Sequence, residues 1–125
     1  MTILATKDRI VSDVLKHEYA PEFGWCREMR TVTLETGMKV GAVVTAAGAW
    51  VAAAAVANAD AVVIDPRLDV ADTLGTGAVS VLCLVRGPAI VGRSYLQFKG
   101  SVSEANIDSA AAALLVKQIK VEKQV

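Results

Sequence analysis

Apolar and polar positions alternate from Arg27 onward in a way that predicts strands. Met29, Thr31 and Thr33 interleave with Arg30, Val32 and Leu34, and β-branched residues dominate the run. Glu35-Thr36-Gly37 reads as a turn, and Met38 to Val44 as a second strand that would close a hairpin. Ala46-Ala47-Gly48 turns again. The alanine-rich stretch after Trp50 fits strand or helix, and its periodicity does not choose between them. Ala61-Val62-Val63-Ile64 is a short apolar strand stopped by Asp65-Pro66, because a proline restrains the residue before it. Leu68 to Gly77 is polar and glycine-containing, and reads as a loop.

The clearest strand is Val79 to Val85, apolar on both faces after Ser80 and so expected at the centre of a sheet. Arg86-Gly87-Pro88 ends it. Ala89-Ile90-Val91 and Tyr95-Leu96-Gln97-Phe98 follow as further short strands. Near the C-terminus the period changes. Ser101 and Glu104 have capping-box spacing, and Ile107, Ala110, Ala111, Leu114 and Leu115 share one helical face, with Lys117 in the expected last turn. Ile119 and Val121 alternate with Lys120 and Glu122 as a short terminal strand or tail. The expected class is mainly β with a short C-terminal helix.

Residues 1–26 differ. Lys7 to Glu18 is charged with scattered apolar residues; Ile10, Val14 and Leu15 could share a helical face, but Tyr19-Ala20-Pro21-Glu22-Phe23-Gly24 interrupts it. The stretch reads as a flexible N-terminal arm, mobile alone and ordered by a partner, ahead of a single β-rich domain over 27–125. The competing reading is a short amphipathic helix packed on its own domain.

Composition narrows the function. The 125 residues fit one domain. Thirteen basic and thirteen acidic residues balance, which argues against the electrostatic footprint of a nucleic-acid binder, although Arg27 and Arg30 lie beside Phe23 and Trp25. Hydrophobic content of 54% excludes global disorder, and aromatics at 5% point to small, closely packed side chains. No apolar run precedes Lys7 that would make a signal peptide. Lys39 to Asp60 encloses no charge, but it is alanine-rich and polar enough to read as strands rather than a membrane span.

Candidate chemistry is sparse. Cys26 and Cys83 are the only cysteines and His17 the only histidine, so a structural zinc site is not expected, and two reduced thiols are favoured over a disulfide. A Cys26–His17 nucleophilic pair has no orienting third group in sequence. Asp60, Asp65, Asp69 and Asp72 lack the alternate spacing of a calcium loop. Gly75-Thr76-Gly77 lacks the rest of a phosphate-binding fingerprint. No enzyme activity, metal or cofactor is expected.

Ordered landmarks resemble those of the lambda-type protein D family, the head decoration proteins of tailed phages. They are Glu18; Arg27-Glu28 before Thr31-Val32-Thr33-Leu34; Gly37 followed by Val40 to Val44; Ala61 to Ile64; and, most specifically, Val79 to Val91 through Arg86-Gly87-Pro88. Leu96, the Ile107 to Leu115 helix and Ile119-Lys120-Val121 complete the series, which spans about residues 18–121.

The resemblance implies a compact β-clip-like domain and a structural virion protein. Such a protein would bind the outside of the expanded capsid as a homotrimer at local threefold positions and cement it against internal DNA pressure. Its partners would be the major capsid protein and itself, with neither nucleic acid nor membrane. It would reside on the outer capsid surface, and in host cytoplasm during assembly. The arm would add a strand to the capsid protein, with three arms acting together. Ile10, Val11, Val14 and Leu15 would contact capsid, with Trp25 and Arg27 where the arm meets the domain. Arg86-Gly87-Pro88 would be a turn of the fold, and the alanines around Trp50 could face a trimer axis. The alternatives are another phage structural or adaptor protein, of tail or neck, acting by strand addition, and a trimeric β-clip enzyme of the dUTP pyrophosphatase kind, whose nucleotide-pocket motif is missing around Tyr19 and Tyr95.

Overall fold

The computed structural model describes residues 14–20, 24–69 and 75–123. The chain is mainly β, in two sheets, with one short helix near the C-terminus. Strands β1 (Leu15–Glu18), β6 (Ala89–Gly92) and β7 (Ile119–Glu122) form a three-stranded sheet in the order β1-β6-β7. Strands β2 (Arg27–Leu34), β5 (Gly77–Leu84), β4 (Ala59–Val63) and β3 (Val43–Thr45) form a four-stranded sheet in that order. Among the described strands, β6 and β7 alone pair in parallel. Helix α1 (Glu104–Leu115) packs on a 3-10 turn, Ala53–Asn58, and on β7 and β4.

Small β-branched residues let the four-stranded sheet carry a core on each face. Val43, Val62 and Leu84 join Val14, Val91, Leu114 and Ile119 on one side. Val44, Ala61, Val63, Val81 and Cys83 join Val32, Leu34 and Met38 on the other. This is why Ala61–Ile64 reads as an unbroken apolar run: both of its faces are covered. Strand β5 is central, as its sequence predicts.

Four expectations are corrected. First, β2 and the 38–44 segment do not form a hairpin; β2 pairs with β5 over eight residues, from Arg27 opposite Leu84 to Leu34 opposite Gly77. The chain turns at Gly41, whose φ is +102° and whose added Cβ would lie 2.2 Å from the Tyr95 carbonyl oxygen, so only Val43–Thr45 continues as strand, against β4. Second, the Tyr95–Phe98 strand reduces to single bridges, Ala42 to Gln97 and Ala52 to Lys99, after a 3-10 turn over Arg93–Tyr95.

Third, the helix cap is Ser103 with Asn106, two residues later than the Ser101–Glu104 frame. The Ser103 hydroxyl accepts from Asn106 N–H at 3.1 Å while Ser103 N–H donates to the Asn106 amide oxygen at 3.2 Å. Glu104 instead pairs with Arg93, which also holds Asp108. Lys117 lies beyond the helix and reaches Asp60 at 3.2 Å. Fourth, the domain begins before residue 27. Val14 is fully buried and β1 is hydrogen-bonded into the first sheet, with Leu15 opposite Val91 and Glu18 opposite Ala89. The alanine-rich stretch left open by periodicity is a 3-10 turn with Val56 inward.

Asp65 fastens the corner between β4 and β5. Its carboxylate is almost completely buried and accepts from Arg67 Nη2 (2.6 Å), Arg67 N–H (3.0 Å) and Leu82 N–H (3.1 Å). The Arg67 guanidinium holds this carboxyl below its ordinary range, with the two backbone amides helping, against the opposing effect of burial. Asp65→Ala leaves the Leu82 N–H without its acceptor and is expected to lower stability by about 1–3 kcal/mol at neutral pH, read by urea unfolding. Because the folded-state pKa is depressed, the wild-type advantage is present above the unfolded carboxylate value of about 3.9 and is lost as pH falls through the lower folded value. An advantage that stays constant across that acid range would contradict this role.

Candidate functional site

The segment Arg86–Pro88 carries the chain from β5 in one sheet to β6 in the other, and three other parts of the molecule meet at it. Val85 N–H donates to the Cys26 carbonyl at 2.9 Å, at the start of β2. Tyr19 N–H donates to the Pro88 carbonyl at 2.8 Å, at the end of β1. Gly87 N–H and Ala89 N–H donate to the carbonyls of Lys117 (2.8 Å) and Gln118 (3.1 Å), in the turn after α1. The Gly87–Pro88 peptide is cis. The Cys26 thiol lies beneath, its Sγ 3.5 Å from the Tyr19 carbonyl oxygen and 3.7 Å from that of Pro88.

Above this junction the surface is apolar and aromatic. Tyr19 is 57% exposed, Trp25 53% and Val116 81%, and all three line one shallow groove of about 450 Å³ whose floor includes Gly87 and Pro88. Arg86 organises one wall. Its guanidinium lies 5.4 Å from the Trp25 ring centroid, donates to the Trp25 carbonyl at 2.6 Å, and pairs with Glu28 at 3.0 Å. Hydrogen bonds from Arg86 and Arg30 hold the Glu28 carboxyl below its usual range. At the start of β2, the Arg27 Nε donates to both oxygens of nearly buried Glu18, at 3.1 and 3.0 Å, which ties β2 to β1. That contact raises the Arg27 pKa. The charges around the groove are therefore spent within the chain, and what faces outward is ring and methyl surface.

The expected contact residues separate under the fold. Trp25 lines this surface and is exposed, whereas Arg27 is half-buried and held by Glu18. Leu15 is half-buried in β1. Val14 is corrected from an arm residue to a core residue, packed beside Gly41. Ile10 and Val11 lie outside the described residues. Sequence reasoning did not single out Tyr19 and Val116 as surface residues. Both sit beside turns, and only their three-dimensional convergence marks them. Arg86-Gly87-Pro88 was expected as a turn, and its arginine also braces Trp25.

The other candidate chemistry disperses. Cys26 directs its thiol at carbonyls, and His17 lies exposed on β1 opposite Ile90. Cys83 is buried, which pushes its thiol pKa up to about 11 and keeps it a poor nucleophile. Both cysteines are free. Asp60 is bound by Arg30 and Lys117, and Asp65 by Arg67. Asp72 lies outside the described residues. Among the described residues, no group of three His, Cys, Asp or Glu is placed to hold a metal ion. Among them too, no helix is long and apolar enough to cross a membrane. Comparison with known proteins returns no matching family model, no matching curated protein and no matching solved structure.

Gly87 tests the rigidity of the groove floor. A Cβ there would lie 1.8 Å from the Gln118 carbonyl oxygen and 2.6 Å from Ala89 N. Gly87→Ala must push the two turns apart and is expected to lower stability by about 1–3 kcal/mol or more, measured by urea unfolding. A Gly87→Ala protein as stable as wild type would show that the junction yields easily.

Proposed function

We propose that this protein is a decoration protein of a tailed-phage head, a cement subunit on the outer surface of the expanded capsid. The observation that carries the reading is the Tyr19–Trp25–Val116 surface. Contiguous exposed apolar side chains over a braced loop mark an interaction site on a small domain whose other large apolar residues are mostly buried. The resemblance of the Val79 to Val91 block to phage decoration proteins gives that site a partner, the major capsid protein. This block is the one that builds β5, the Arg86–Pro88 junction and β6.

In this reading the domain docks through the aromatic groove, with Trp25 as anchor and Arg86 holding its ring in place. Residues 1–13 add an extended contact to the capsid. Three copies at each local threefold position engage together, so modest single contacts sum to firm attachment. Catalysis has no part in this reading. Attachment of the same surface to a tail or neck protein is the alternative within the same class.

Expanded heads lacking this protein supply the test, by co-sedimentation and particle imaging. Saturable binding in threes at local threefold positions is expected. Removing residues 1–13 should weaken it while leaving β1 in its sheet, and Trp25→Ala should weaken it by about tenfold or more, as loss of an aromatic anchor does. Absence of binding to expanded heads, with the protein recovered on tails or free, would overturn the proposal.

A further inference from the structure

Two cations line the aromatic groove, Arg86 beside Trp25 and Lys117 beside Val116. They are the two ends of one series of ion pairs. Arg86 Nη2 donates to Glu28 Oε1 at 3.0 Å, and Arg30 Nε donates to Glu28 Oε2 at 3.3 Å. Arg30 Nη1 donates to Asp60 Oδ2 at 2.7 Å, and Lys117 Nζ lies 3.2 Å from Asp60 Oδ1. Charge alternates along the series, and each carboxylate oxygen takes a donor of its own. The middle of the series, Arg30 and Asp60, is half-buried. Neither Glu28 nor Asp60 lines the groove.

The series joins parts of the fold that the strand ladders leave apart. Arg30 is on β2 and Asp60 on β4, and β5 separates these strands in the sheet. Lys117 belongs to the turn after α1, where its carbonyl also accepts from Gly87 N–H at 2.8 Å. At the other end, the planar Arg86 guanidinium spends one branch on the Trp25 carbonyl, at 2.6 Å, and the other on Glu28. These two bonds set the plane that lies 5.4 Å from the Trp25 ring centroid. Without Glu28 the guanidinium can turn about its remaining bond, and the ring loses a fixed support. Ion pairs this exposed add little to stability, so their effect is to be sought in what they hold in place.

We propose that Glu28 and Asp60 are positioning residues of the docking groove. Glu28 sets the Arg86 plane against which the Trp25 ring rests, Asp60 sets Lys117 on the Val116 side, and Arg30 ties the two carboxylates together. Both act through the cations they hold and touch no occupant. The inference rests on the reading of this groove as the docking surface. It adds the residues that fix the groove before a partner arrives, which lowers the ordering cost of docking an aromatic anchor.

Fluorine NMR of the full chain labelled with fluorotryptophan tests this without heads, since Trp25 and Trp50 are the only reporters. Trp25→Ala assigns the Trp25 resonance. Glu28→Gln keeps the side-chain size, removes the charge, and is expected to shift and narrow that resonance. Asp60→Asn leaves Arg86 untouched and is expected to move it in the same direction by less. The Trp50 resonance should stay in place in both variants and so report an intact fold, because its indole N–H is held by the Gln97 carbonyl at 3.2 Å. Lys99→Gln breaks the separate Lys99–Glu35 pair and should leave the Trp25 resonance unmoved. Against expanded heads, Glu28→Gln is expected to bind about two- to fivefold more weakly than wild type. A Trp25 resonance unmoved by Glu28→Gln or by Asp60→Asn, or moved as far by Lys99→Gln, would overturn the proposal. So would wild-type affinity of Glu28→Gln for heads that Trp25→Ala fails to bind. If the wild type itself does not bind heads, the head reading falls, and the fluorine result still decides the positioning role.

Discussion

The passage of the chain from one sheet to the other at Arg86–Pro88 is the constraint on which the remaining structure depends. The backbone from Val85 to Ala89 is bonded to the end of β1, the start of β2 and the turn after α1. Neither sheet is large, and the outer strands of the three-stranded sheet have only four residues each. Each gains its place through this junction as much as through its own ladder. Glycine is required at position 87 because the carbonyl of Gln118 occupies the space of a side chain. Gln118 itself sits at a positive φ of 65°, a conformation held by the hydrogen bonds that its carbonyl and that of Lys117 accept from Ala89 and Gly87 N–H. The buried Glu18–Arg27 contact repeats the same connection from the side-chain direction.

A functional consequence follows from where this stiffness lies. Aromatic side chains at a binding surface lose less freedom on docking when their backbone is already fixed. Trp25 and Tyr19 are both adjacent to bonded junction residues, and Arg86 stacks on the Trp25 ring. The groove is therefore pre-organised without being buried. Its internally paired charges favour an apolar occupant over an ionic one, which is the chemistry proposed for capsid attachment.

The sequence made the class, the central position of β5 and the C-terminal helix legible, because each rests on local periodicity or an unbroken apolar run. The β2 partner was not legible. Pairing with β5 is a contact across more than forty positions, whereas the hairpin reading weighed only neighbours; the turn at Gly41 that decides the matter is set by the distant Tyr95 carbonyl. The capping box lies two residues beyond the Ser101–Glu104 frame, on Ser103 and Asn106, and Glu104 pairs with Arg93 instead. The same limit applied to the site. Trp25 and Arg27 stood out as a local aromatic and basic cluster. Tyr19 and Val116 are ordinary turn residues until the Arg86–Pro88 junction brings them beside Trp25. Val14 looked like part of an arm because its charged neighbours outnumber it, yet it fills the core near Gly41.

Hydrogen exchange of the protein, free and in the presence of expanded heads, tests the central claim most directly. The account predicts that heads slow exchange at the amides around the groove, at Tyr19, at Trp25, at Arg86 and Gly87 and at residues 116–118, more than at β3 or β4. Equal exchange with and without heads, or slowing confined to surfaces away from Trp25, would contradict it.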